Sequence, residues 1–146
     1  MEIEIKIDSA YKEPKLLILT DQMSDEISAI IEKLSDRGPR LLAGFREGKL
    51  ELLEPEELLR VYAAAGKVFA VTGRGEYTLR LRLYELEDRL DKSRFVRISH
   101  SEIINLKKVK SFDLSFAGTI CVHMADGAVT YVSRRYVSGI KQVLGI

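Results

Sequence analysis

Residues 94–105 read R-F-V-R-I-S-H-S-E-I-I-N, and the rest of the chain is organised around them. Phe95 is an apolar residue set among basic and polar neighbours, the pattern of a half-buried strand. Ser99-His100-Ser101 is too polar for a core and reads as an exposed turn. Ile103-Ile104 re-enters buried structure before Asn105. The stretch is therefore a short strand that feeds a polar turn, and the turn leads straight back into the core.

Downstream the signals are those of antiparallel strands. Val109–Phe116 and Thr119–Met124 flank a turn at Ala117-Gly118. Asp126-Gly127 is a strong hairpin signal ahead of a strand at Ala128–Val132. Ser133 is placed to cap a closing helix from Arg134 to about Val143, ended by Gly145. Upstream, strands are expected at Arg40–Phe45, Lys49–Leu53, Leu58–Ala64, Val68–Thr72 and Tyr77–Arg82, with a short helix over Leu83–Leu90. Gly66-Lys67 and Gly73–Glu76 supply the turns. Many short strands, brief helices and no strand–helix–strand alternation predict a mainly β, antiparallel α+β domain.

The first 45 residues read differently. Ile3, Ile5 and Ile7 alternate with charged residues, and K-L-L-I-L-T at 15–20 is a second short apolar run. Ser24 caps a helix whose Ile27, Ile30, Ile31 and Leu34 repeat at helical spacing, with Arg37-Gly38-Pro39 as its stop. This is a small β-β-α arm over residues 1–45, ahead of a main domain over 46–146. The arm is too small to bury its own apolar stripe. We expect Ile27, Ile30, Ile31 and Leu34 to act as a dimerisation element.

Composition sets the remaining bounds. The chain has 146 residues, 46% of them apolar and 31% charged, which is globular composition. No apolar run approaches the roughly 20 residues of a membrane span, and the acidic, alternating start is not a signal peptide. The single cysteine, Cys121, allows no internal disulfide, and a cytoplasmic location is expected. The net charge of +1 hides an asymmetry. Residues 1–91 hold 14 bases and 19 acids, whereas residues 92–146 hold nine bases and three acids. A basic half is the footprint of a phosphate-facing surface, and also that of an ordinary solvated face.

Enzymatic signatures are missing from the sequence. Gly73-Arg74-Gly75 is followed by a strand rather than a helix, so it is not a dinucleotide loop. His100 and His123 lack partners at metal-ligand spacing. No cofactor, metal or small-molecule substrate is expected, and no enzyme.

Four blocks taken together resemble the LytTR family of bacterial DNA-binding domains. These are V-Y-A-A-A-G-K-V-F-A-V, Y-T-L-R-L-R-L-Y-E-L-E-D-R-L, F-V-R-I-S-H-S-E-I-I-N-L-K-K-V and V-T-Y-V-S-R-R-Y-V-S-G-I-K, in the family's order over residues 47–146. Ser99 stands where the family often has histidine, with His100 one position later, and Glu102 stands where an aromatic is common. The resemblance implies an elongated LytTR-like domain of small antiparallel sheets. In it, loops and the last helix enter successive major grooves on one side of double-stranded DNA.

By alignment, Lys67, the turn Ser99-His100-Ser101 and Arg135 fall at DNA-contacting positions. Ser133 and the start of the last helix would seat a phosphate, while Lys107, Lys108 and Arg134 would supply attraction blind to sequence. The resemblance further implies a small stand-alone transcriptional regulator without a receiver domain. Such a regulator would work as a homodimer on two half-sites, with an inhibitory membrane-protein partner as a further expectation. The competing reading is an interaction module or anti-regulator that docks an acidic protein and no DNA. Arg80 and Arg82 read as a solvated sheet face.

Overall fold

The computed structural model describes residues 1–34 and 41–146. It divides into two compact units, Met1–Arg37 and Gly38–Ile146, which are described separately.

In the first unit, helix α1 spans Asp25–Leu34. The Ser24 hydroxyl accepts the Ile27 amide at 3.3 Å, so the cap read from the sequence is formed. The two strands expected ahead of α1 are not there. Residues 2–7 and 15–20 carry no ladder, and Ile3, Ile5 and Ile7 are 80–94% exposed. Alternation marks what a strand would bury once paired, but an isolated two-stranded ribbon is marginal in water. Of the β-β-α arm, only the helix forms. Ile27 is buried and Ile30 half-buried, whereas Ile31 and Leu34 are exposed. The helix stop at Arg37-Gly38-Pro39 and the strand start at Arg40 lie outside the described residues.

The second unit holds ten strands and two helices among its described residues. They are β1 (Leu42–Arg46), β2 (Lys49–Leu53), β3 (Leu58–Ala64), β4 (Lys67–Thr72), β5 (Gly75–Leu79), α2 (Leu83–Arg89), β6 (Phe95–Ser99), β7 (Glu102–Asn105), β8 (Val109–Asp113), β9 (Ile120–Met124), β10 (Val129–Val132) and α3 (Arg134–Leu144). Strand β1 falls in this unit, paired along its length with β2, so the division lies ahead of the boundary expected at residue 45. Every pairing is antiparallel, in a seven-stranded sheet of order β2-β1-β5-β4-β3-β7-β6 and a three-stranded sheet of order β10-β9-β8. No described helix is long and apolar enough to cross a membrane.

Two cores result. One gathers Leu58, Val61, Ala70, Tyr77 and Ile103 with Leu83, Leu86 and Leu90 of the α2 segment. The other gathers Leu59, Ile98 and Ile104 with Ile120, Val122 and Met124 of the small sheet and Ile140 of α3. Successive residues of one strand face opposite sides. Thus Ile103 enters the first core and Ile104 the second. At full burial each such aliphatic side chain contributes roughly 1.5–3 kcal/mol.

Strand β5 ends at Leu79, three residues short of expectation. Its partner β4 pairs Val68 with Leu79, and just beyond that pair β4 turns back into β3. The ladder ends where its partner does. Residues 80–82 then lead into α2, where the Arg82 amide donates to Glu85 at 3.3 Å.

Two hairpins close through two-residue turns with positive φ at both positions, Glu47 (52°) with Gly48 (74°), and Ala65 (51°) with Gly66 (74°). This geometry matches the twist of the flanking strands but strains a side-chain-bearing first residue. Asparagine tolerates that region better. Glu47→Asn should therefore raise stability by about 0.5–1 kcal/mol, seen as a higher urea midpoint with an unchanged slope.

Candidate nucleic-acid interface

The turn at residues 99–101 is built from both sides. Ser99 Oγ accepts the Ser101 amide at 3.2 Å, closing the turn locally. The Ala63 amide on β3 donates to the Ser101 carbonyl at 2.8 Å, which ties the turn to the sheet. Arg97 supplies the third restraint. Its Nε donates to the Ser99 carbonyl at 3.1 Å and its Nη2 to the His100 carbonyl at 2.5 Å. Its Nη1 reaches Glu87 of α2 at 2.8 Å. One guanidinium thus holds two turn carbonyls and a carboxylate with its fixed fork of donors, a role lysine cannot fill. With its carbonyl held, the His100 ring is left exposed.

Asn105 is the anchor below. It is buried, its Nδ2 donates to the Leu58 carbonyl at 2.8 Å, and its Oδ1 accepts the Lys107 amide at 3.0 Å. Asn105 thereby starts the single 3₁₀ turn Leu106–Lys108. Lys107 stands exposed on that turn, while Lys108 is half-buried.

The start of α3 is fixed to the same strand as the turn. The Ser133 amide donates to the Ile98 carbonyl at 2.8 Å, one residue before the turn begins. Ser133 occupies the cap position, but its hydroxyl makes no capping bond. Its backbone amide is committed to β6, and the residue is exposed. Arg134 and Arg135 begin the helix and are both exposed. The Arg134 guanidinium lies over the Gly118 turn, where a Cβ would meet its Nε at 3.2 Å. Arg135 is exposed and enters no ion pair among the described residues.

Lys67 opens β4 directly after the Ala65-Gly66 turn and is exposed. It lines an open groove of about 1020 Å³ together with Arg80, Arg82, Arg97, His100, Ser101 and Tyr136. The structure thus brings Lys67 beside the Ser-His-Ser turn. Lys107 and Lys108 do not line this groove.

Glu102, the unusual residue after the turn, is explained by its partners. Its two oxygens take Arg60 at 3.3 Å and Thr130 at 2.7 Å, so it joins β7 to β3 and to the small sheet. Arg60 in turn lies 4.8 Å over the Tyr62 ring. The Tyr62 hydroxyl donates to Glu76, and that bond to a carboxylate raises the tyrosine pKa. An acid in this position is legible from the sequence only once the β3–β7 register, which brings Arg60 within reach of Glu102, is known.

The chain is similar to known proteins over most of its length. The sequence profile described as the LytTr DNA-binding domain matches residues 48–145. Proteins named as uncharacterized HTH-type transcriptional regulators in Staphylococcus aureus strains MSSA476 and MW2 are each 31% identical over 147 aligned positions. The alignments cover 100% of this chain and 99% of each relative. A LytTr DNA-binding domain from a methyl-accepting/DNA response regulator of Bacillus cereus superposes with a TM-score of 0.72 at 22% identity, over 75% of this chain and all of that one.

Removing the Arg97 fork should loosen the turn without unfolding the domain. Hydrogen bonds to charged groups are worth about 1.5–3 kcal/mol. Arg97→Met is expected to speed amide exchange at Ser101 by at least about tenfold, with the circular dichroism spectrum unchanged. Equal exchange in both proteins would show that the guanidinium does not hold the turn.

Proposed function

The chain belongs to the LytTr DNA-binding domain family, and from that premise we propose that it binds specific double-stranded DNA sequences and regulates transcription. The observation that carries this reading is one hydrogen bond. The Ser133–Ile98 bond sets the exposed start of α3 against the strand that presents the Ser99-His100-Ser101 turn. Two reading elements on one rigid strand can address base edges together. Arg135 has the donors to bridge guanine O6 and N7, and His100 donates to the same acceptors. Ser99, Ser101, Ser133, Lys107, Lys108 and Arg134 would act on the phosphates, which fix register without reading sequence. The proposed insertion is of turns and a helix start into major grooves. The role is that of a cytoplasmic regulator, and no catalytic step is assigned to it.

The test is fluorescence anisotropy on duplexes selected from random DNA, against scrambled duplex. Wild-type protein should prefer the selected duplex by at least about 10³-fold. Arg135→Ala and His100→Ala should each lose about 1–3 kcal/mol of that preference, at unchanged fold. Equal binding to every duplex would reduce the reading to a basic surface. No binding at moderate salt would favour an interaction module that docks an acidic protein.

Dimerisation through α1 is part of the same proposal. Ile31 and Leu34 continue the apolar stripe of Ile27 and Ile30 into solvent. The Staphylococcus relatives align across this segment as well as across the profile match. A two-fold dimer suits a site made of two half-sites. Ile31→Asp is expected to halve the solution mass measured by sedimentation. A wild-type protein that already sediments as a monomer, or a variant of unchanged mass, rejects the dimer.

A further inference from the structure

The groove beside the recognition turn has an unusual lining. It carries Lys67, Arg80, Arg82, Arg97 and His100, and no carboxylate. Of the four permanent cations, only Arg97 is neutralised, by Glu87 at 2.8 Å. Lys67, Arg80 and Arg82 enter no ion pair among the described residues. Like charges gathered without counter-charge work against the folded state, and a polyanion offsets that cost when it binds.

The two arginines are also held in place. Neither is part of the β5 ladder, since β5 stops at Leu79. Arg80 is exposed, but its guanidinium carbon lies over the Phe45 ring, 4.1 Å from the centroid. Stacking covers one face of the plane and leaves the N–H edge directed elsewhere. Arg82 is the residue just before α2, where its backbone amide is fixed to Glu85. Tyr84, 62% exposed, adds a hydroxyl to the same wall. A guanidinium with its backbone fixed and no ion-pair partner among the described residues fits a phosphate oxygen, which accepts the fork of donors.

We propose that Arg80 and Arg82 form a phosphate-binding track for the strand of DNA that flanks the bases read by the Ser99-His100-Ser101 turn, extending the contact surface along the β5–α2 connection. This rests on the DNA-binding reading above. The chemistry is phosphodiester recognition, blind to sequence. The groove is continuous from Lys67 through Arg80 and Arg82 to His100 and Ser101, so a backbone running through it passes the turn.

The test measures binding of the full chain to its selected duplex and to scrambled duplex at several salt concentrations. The proteins are wild type, Arg80→Gln, Arg82→Gln and Arg82→Lys. Each phosphate contact contributes about 0.9 to the slope of log K against log salt. The glutamine variants should each lower that slope by about 1 and weaken binding several-fold near 0.1 M salt. The selected-to-scrambled ratio should stay constant, and Arg82→Lys should keep the slope. If wild type binds selectively and both glutamine variants match it in slope and affinity, the track is refuted while the DNA reading stands. A change in selectivity in the glutamine variants would also refute it, since the arginines would then be reading bases. If wild type shows no selective binding, the underlying reading fails, and the track with it.

Discussion

Strand β7 is buried on both faces, and that constraint shapes everything around it. Ile103 goes into one core, Ile104 into the other, and Asn105 spends its amide on the Leu58 carbonyl. Four residues long, the strand has no freedom to slip, because a one-residue shift would exchange the two faces. The turn that precedes it is therefore placed by the cores beneath it. Arg97 then fixes the turn's carbonyls, and Ser133 brings α3 to β6, the strand that leads into the turn. Exposed polar residues inherit the rigidity of buried apolar ones, and a binding site gains pre-organisation from that.

Charge is partitioned in the same spirit. The acids Glu51, Glu56, Glu57, Glu87, Asp91 and Glu102 sit against Arg46, Arg60, Arg74, Arg94 and Arg97. Those arginines serve the fold. Lys67, Arg80, Arg82, Lys107 and Arg135 enter no such pair among the described residues. The near-neutral whole thus conceals a set of uncommitted cations, three of them in one groove beside the turn. Although relatives carry HTH-type names, the described helices of this chain are separated by strands rather than joined to one another by a turn.

Much of this was legible in the sequence because its signals are local. The strand at Leu58–Ala64, the helix at the α2 segment, the Asp126-Gly127 turn and the cap at Ser24 each depend on neighbouring residues alone. What failed depended on distant partners. Ile3, Ile5 and Ile7 alternate well but have no strand to pair with. Arg80 and Arg82 continue an alternation whose ladder ends because β4 turns away. Arg97 read as one more strand arginine, and its clasp on the turn needs the α2 carboxylate of Glu87, ten residues away. Ser133 stands at the cap that its sequence position marks, yet its contribution comes through the backbone amide to Ile98. Gly44 gave no signal at all, though a Cβ there would meet Leu53 Cδ1 at 2.7 Å.

The most direct measurement is methylation interference on a selected duplex, comparing guanine N7, which lies in the major groove, with adenine N3, which lies in the minor groove. Major-groove reading predicts that N7 methylation blocks binding in discrete patches about one helical turn apart, while N3 methylation in the same patches is tolerated. Selective binding that survives N7 methylation, or that fails only with N3 methylation, would contradict major-groove reading by the turn and α3.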